Sequence, residues 1–217
     1  MKQQIELVQL CGFPTDCPWQ QEYRGSDDGF EAKQFHKALD GRPNTLTICK
    51  AANGNIFGGF SQLTWDEDER KETRGYYGVD EDEDENEDED EEVEVRSCPQ
   101  EQNRSFIFSL VNKENMPMKL KHFRRSSICR HSTYGPAFGE FFAYDLFVNL
   151  DSKELGGSNQ VFSSLGNSYE HPLEYLRLFR SCRTEVDGKI AETLLGGSRV
   201  FDLVEIEVYR PSFIFYP

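Results

Sequence analysis

His131 and Ser132 open the stretch HSTYGPAFGEFFAYDLFVNL, residues 131–150, and a carboxylate, Asp145, follows within it. These are the residue types of a nucleophile, its base and an orienting acid. Their spacing argues against that reading. Neighbours in an extended strand point to opposite faces, so the His131 imidazole and the Ser132 hydroxyl do not readily share a proton. Asp145 falls in an alternating run opposite Phe142, Tyr144, Leu146 and Val148, which places it toward solvent. A serine hydrolase of the α/β class carries G-x-S-x-G at a strand-to-helix elbow. The segments GGSNQ (156–160) and GGSRV (196–200) both lack the closing glycine.

Other chemistries fare no better. His36, His122, His131 and His171 show neither H-x-E-x-H nor H-E-x-x-H spacing, so no metal site is expected. GNIFGG and GPAFG match neither a Walker A loop nor the dinucleotide fingerprint, so no cofactor is expected. Six cysteines, at positions 11, 17, 49, 98, 129 and 182, form no C-x-x-C and no zinc-finger spacing. None has the flanking of a recognisable low-pKa thiol. The basic segment KLKHFRRSSICRH (119–131) is the one cationic cluster, and the rest of the chain is not basic, so nucleic acid is not expected.

The formal charge of −15 on 217 residues suggests an acidic protein, but the acidity is local. Between Asp80 and Glu94 the chain reads DEDEDENEDEDEEVE, with thirteen carboxylates. The remaining 26 acidic residues nearly balance 24 basic ones, as on an ordinary globular surface. Mutual repulsion and scarce apolar residues make 66–102 a solvated acidic insertion. It serves as a solubilising loop, or steers a basic partner by its long-range field. The N-terminus MKQQIELVQLCGF has no long apolar core, so neither a signal peptide nor membrane insertion is expected. Reduced cysteines and a cytoplasmic location follow.

The elements that must position these residues are mostly strands. RGSDDGFEAKQFHKALDG has cap-competent Ser26 and Asp27 and predicts a helix near 28–39 that ends at Gly41. TLTICK and NIFGGFSQLTW flank the turn AANGN and predict a hairpin, with Gly58 and Gly59 marking a bulge or a close backbone approach. SFIFSLVN, SSICRH, FAYDLFVNL and FDLVEIEVY alternate as strands, the last with Val204, Ile206 and Val208 on one face. Residues 172–181, PLEYLRLFRS, have helical spacing. The expected fold class is α+β, mainly β: two packed antiparallel sheets with a few flanking helices.

Five segments occur in an order that resembles the TLDc domain family: TLTICKAANGNIFGGFSQLTW, SFIFSL, STYGPAFGEFFAYDLFVNL, VFSSLGNSYEHP and LLGGSRVFDLVEIEVY. The residues that carry the resemblance are Gly54, Phe57, Gly58 and Gly59 in the first, and Tyr134, Gly135, Pro136, Phe138 and Gly139 in the third. Leu165 and Gly166 follow in the fourth, and Phe201, Glu205, Ile206, Glu207 and Val208 in the last. The chain departs from the family pattern at Phe141 and Phe142, where relatives commonly keep glycine, and in the length of its acidic insertion. Glu140, Phe141 and Phe142 are therefore the candidate partner patch.

The resemblance implies a TLDc sandwich over 19–210, with the insertion at 66–102, an N-terminal segment 1–18 and a tail 211–217. It implies no catalytic activity. It points to a binding or regulatory module associated with oxidative-stress resistance and, in several members, with the vacuolar-type proton ATPase. A monomer with a protein partner is expected. The alternatives are an interaction domain with an unrelated partner and an uncharacterised hydrolase or redox enzyme.

Overall fold

The computed structural model describes residues 2–66, 104–122, 127–141, 143–150, 159–169 and 192–212. The acidic insertion from residue 67 onward, the helical pattern at 172–181, Phe142, His171, Cys98, Cys182 and residues 213–217 lie outside them.

Three helices form. α1 (Lys2–Cys11) turns Leu7 and Cys11, one helical turn apart, onto the sheet. It stops at Gly12, whose φ of +76° suits glycine at a helix end, and the Gly12 and Phe13 N–H groups donate to the Val8 carbonyl. The segment before residue 19 is therefore packed structure, although Glu6 breaks its apolar pattern. The single helix expected near 28–39 is two, α2 (Gly25–Asp28) and α3 (Ala32–Leu39). Gly29, at φ +102°, separates them, and Ser26 and Asp27 sit inside α2 rather than capping α3. Ala32, Phe35, His36 and Leu39 give α3 its buried stripe at i, i+3, i+4 and i+7.

Ten strands lie among the described residues. They are β1 (Trp19–Arg24), β2 (Thr45–Ala51), β3 (Ile56–Ser61), β4 (Phe106–Val111), β5 (Met118–Lys121), β6 (Ile128–Cys129), β7 (Ala137–Glu140), β8 (Ala143–Asn149), β9 (Gln160–Ser163) and β10 (Val200–Pro211). The path is β5-β4-β3-β2-β10-β9-β8-β7-β6, antiparallel throughout, with β1 also on β10. The fold is thus α+β and mainly β.

The two expected sheets are two wings of one path, because β10 serves both. Its start, Val200–Asp202, pairs with β9; from Leu203 to Tyr209 it pairs with β2, and its end with β1. A register shift between Leu203 and Glu205 marks the change of wing. It also corrects the expected alternation. Leu203, Ile206 and Val208 face the core, and Val204 is exposed.

The wings close on a core that joins Tyr23, Phe35, Cys49, Phe57, Trp65 and Ile107 of the first wing to Phe138, Leu146, Val148 and Val161 of the second. The Trp65 and Phe138 rings meet edge to face at 5.6 Å, and the Trp65 indole N–H donates to the Thr45 hydroxyl at 2.9 Å. A second cluster, with Leu46, Phe60, Phe106, Phe108 and Leu110, covers the outer face of the first wing beneath α1 and Phe13. β3 stops at Ser61, so Trp65 reaches the core from the loop that follows and not from a continuing strand.

Candidate functional site

The triad residue types do not converge. Ser132 is exposed, and the His131 ring stacks on Tyr134 at 4.4 Å and meets the Thr133 hydroxyl at 2.9 Å. What His131 supplies to the interior is its backbone carbonyl. His36 Nε2 lies 3.0 Å from the carbonyls of His131 and of Tyr134, and His36 Nδ1 lies 2.7 Å from Asp40. The imidazole therefore ties α3 to the turn before β7, which is a structural use of histidine.

Asp145 overturns the solvent-facing expectation. It is fully buried, and its carboxylate accepts N–H groups from Gly166 at 2.8 Å, Asn167 at 3.1 Å, Ser168 at 2.7 Å and Tyr169 at 3.3 Å. The register shift between Phe138 and Gly139 displaces the β8 alternation, so Tyr144 joins the outer face while Leu146 and Val148 stay inside. Burial raises the Asp145 carboxyl to about 6 against the pull of its four N–H donors. Among the described residues no base or nucleophile is a partner of Asp145, which clamps the 164–169 loop.

The residues that carry the family resemblance meet one another in the interior. Gly59 lies under the Phe138 ring, where an added Cβ would come within 2.5 Å of ring carbons. The close approach anticipated at Gly58 and Gly59 is real, and at Gly58 the obstacle is the Thr47 carbonyl. Phe57 packs edge to face on Phe201 at 5.4 Å. The turn holding Gly54 is pinned by Asn53 to the Gly196 carbonyl and by Asn55 to the Leu195 carbonyl, each at 2.8 Å. Gly139 needs its φ of +113°, whereas Gly135 is required for space, since a Cβ there would stand 2.6 Å from the Val148 carbonyl. Pro136 and Leu165 are buried, and Gly166 lends its N–H to Asp145. Glu205 binds the Arg24 guanidinium at 3.2 Å and accepts the N–H groups of Ser26 and Ile206, which together hold its carboxyl below the usual range. Glu207 takes the Tyr209 hydroxyl at 2.8 Å. These positions build the fold.

Among the described residues a stripe of half-buried aromatic side chains runs across the outer face of the second wing. Tyr134 meets Phe147 at 4.9 Å, Tyr144 stacks on Phe147 at 5.0 Å, and Phe147 meets Phe162 at 5.9 Å. Phe147 pairs across the strands with Phe162, and Phe162 with Val200, so three neighbouring strands line up apolar side chains. Val200 is 42 % exposed at one end of the stripe and Phe141 44 % at the other.

Phe141 stands at the hairpin tip. Glu140 pairs with Ala143, so residues 141 and 142 are the whole connection between β7 and β8. Two-residue connections favour Asn, Asp and Gly, because their turns need positive φ. Phenylalanine in that place leaves part of a large apolar side chain in water, its ring 6.4–6.5 Å from those of His131, Tyr134 and Tyr144, with no gain in turn geometry. Of the expected patch, Phe141 is exposed, Glu140 is half-buried, and Phe142 lies outside the described residues. Sequence reasoning missed Phe147, Phe162 and Val200, although their outward register was legible in the alternation of FVN, VFS and VFDL.

Burial raises the thiol of Cys11 to about 12 and pushes those of Cys49 and Cys17 upward too, which disfavours thiolate chemistry at all three. Among the described residues no group of three His, Cys, Asp or Glu side chains is placed to hold a metal ion. Among the same residues no helix is long and apolar enough to cross a membrane.

The family model of the TLDc domain matches residues 2–82. Over those residues the chain is similar to the TLDc domain family. The match begins with α1, which agrees with the packing of that helix on the sheet, and takes in Gly54, Phe57, Gly58 and Gly59. No curated protein matches the chain. The stripe from Phe141 to Val200 lies on β7–β10, beyond the matched residues.

Proposed function

We propose that this TLDc domain is a non-enzymatic binding and regulatory module, and that the apolar stripe from Phe141 to Val200 is its docking face. The observation that carries the reading is Phe141, an exposed aromatic at a two-residue hairpin tip that extends into a line of half-buried rings. Such an anchor, ringed by partly covered neighbours, has the form of an interface hot spot.

The partner that the family resemblance suggests is the vacuolar-type proton ATPase, met from the cytoplasm at its stalk or catalytic head. Oxidative-stress resistance then follows through the pump, and burial, which disfavours the thiolate at Cys11, Cys17 and Cys49, supports that route over direct thiol chemistry at those three. A protein partner of another kind would use the same face.

Affinity purification of the tagged full chain from cytosol, read by mass spectrometry, tests the reading. Recovery of stalk and head subunits is the expected result. Recovery of one unrelated protein would keep the docking face and replace the pump. Turnover of a small molecule by the purified chain would remove the non-enzymatic claim.

A further inference from the structure

A groove runs beside α1 on the outer face of the first wing. Its volume is about 340 Å³, room for about two benzene-sized groups at about 150 Å³ each. α1 packs over β4 and β5, and its Leu7 and Val8 form one wall. Leu46 and Ile48 of β2 and Tyr209 of β10 make the floor. At one end Phe13 meets Trp19 edge to face at 4.8 Å and Phe60 at 5.5 Å, and Phe60 is the register partner of Leu46. At the other end stand Lys50 and Glu205, which are register partners themselves. From Leu46 to Lys50 the floor is four steps of strand, roughly 14 Å.

The floor decides what fits. β2 pairs with β3 on one side and with β10 on the other, so its backbone offers no free edge to an extended peptide. A helix needs none, because its N–H and C=O groups pair internally. The spacing suits a helix as well. β2 lies two strands from β4, roughly 10 Å, and packed helices stand about 8–10 Å apart. The same face already seats one helix, α1, through Leu7 and Cys11. Apolar residues at i, i+4 and i+7 of a second would span about 10.5 Å, within the length of the floor.

Charge selects the helix further. Along the β10 margin Glu205, Glu207 and Asp27 share the guanidinium of Arg24, and the Asp27 side chain is 65 % exposed. Even with Lys50 opposite Glu205, carboxylates outnumber cations there. We propose that this groove docks an amphipathic helix of a protein partner, seated beside α1 over β2 and β10. Its apolar residues stand at i, i+4 and i+7, and Lys or Arg lines the flank that faces β10. The inference does not rest on the aromatic stripe, which lies on the other wing.

The test titrates the isotope-labelled full chain with a synthetic helix of about fifteen residues, with Leu at i, i+4, i+7 and i+11 and Lys along one flank. Amide shifts are expected over Leu46–Lys50 and Glu205–Tyr209, with β7 and β8 unmoved. A permuted peptide of the same composition is expected to bind at least tenfold more weakly, and a Glu-flanked one about fivefold more weakly. Ile48→Lys, on the half-buried floor, is expected to lower the affinity roughly tenfold at an unchanged melting temperature. If that variant fails to fold, the comparison of the three peptides on the unsubstituted chain decides. Equal binding by the ordered and permuted peptides, or shifts that leave the groove unmoved, overturns the proposal. So does displacement of a self-associated chain by the peptide, which would make a second copy the occupant.

Discussion

At the scale of the residue, Asp145 sets the sharpest test. Replacing it with Ala leaves four backbone N–H groups, at 166–169, without their acceptor, and the expected loss is about 2–4 kcal/mol of unfolding free energy. Its pH dependence has a definite sign. The folded carboxyl sits at about 6, above its ordinary 3.8, so between those values the folded state binds more protons than the unfolded one. This group's contribution therefore falls as pH rises from about 4 to about 6, by roughly 3 kcal/mol. A carboxyl carbon titration with a midpoint near 6 is expected. A midpoint below 3 would mean that the four hydrogen bonds outweigh burial. Thiol chemistry belongs to the same scale: Cys11→Ala, Cys17→Ala and Cys49→Ala together are expected to leave oxidative protection unchanged in a survival assay.

At the scale of the element, the two wings are held where the strands of one admit the rings of the other. Gly59→Ala drives a methyl group into the Phe138 ring and is expected to cost about 1–3 kcal/mol, lowering the melting temperature by some 2–4 °C per kcal/mol. His36→Phe keeps an aromatic ring on α3 but removes the bonds to Asp40 and to the carbonyls of His131 and Tyr134. Faster amide exchange through 131–136, with little change in β2 and β3, is the expected outcome. The strands themselves were legible because alternation survives in TLTICK, FIFSL and VEIEV. Bulges were not. The shifts at Leu203 and at Phe138 exchange which residues face the core, and nothing local in the sequence separates Val204 from Ile206 or predicts that Asp145 turns inward. Glycine at position 29 was visible, but a break there depends on the +102° φ that tertiary packing selects.

At the scale of the whole molecule, building the fold and forming the proposed docking face fall to different residues. The positions that resemble the family, from Gly54 to Glu207, lie mostly inside or pair with one another, and the candidate docking face is built from side chains between them. That division explains why the fold was readable and the face only partly so. Motif residues announce themselves by type, whereas Phe147, Phe162 and Val200 matter because three strands bring them into line. Phe141, which departs from the family pattern, stands at one end of the stripe, a large aromatic residue where a turn favours a small one. The measurement that tests the central claim most directly is recovery of partner proteins from cytosol by the full chain and by its Phe141→Asp variant at matched stability. Recovery at least tenfold lower for the variant, with an unchanged melting temperature, is the predicted result. Equal recovery by the two chains would contradict the assignment of the stripe as the docking face.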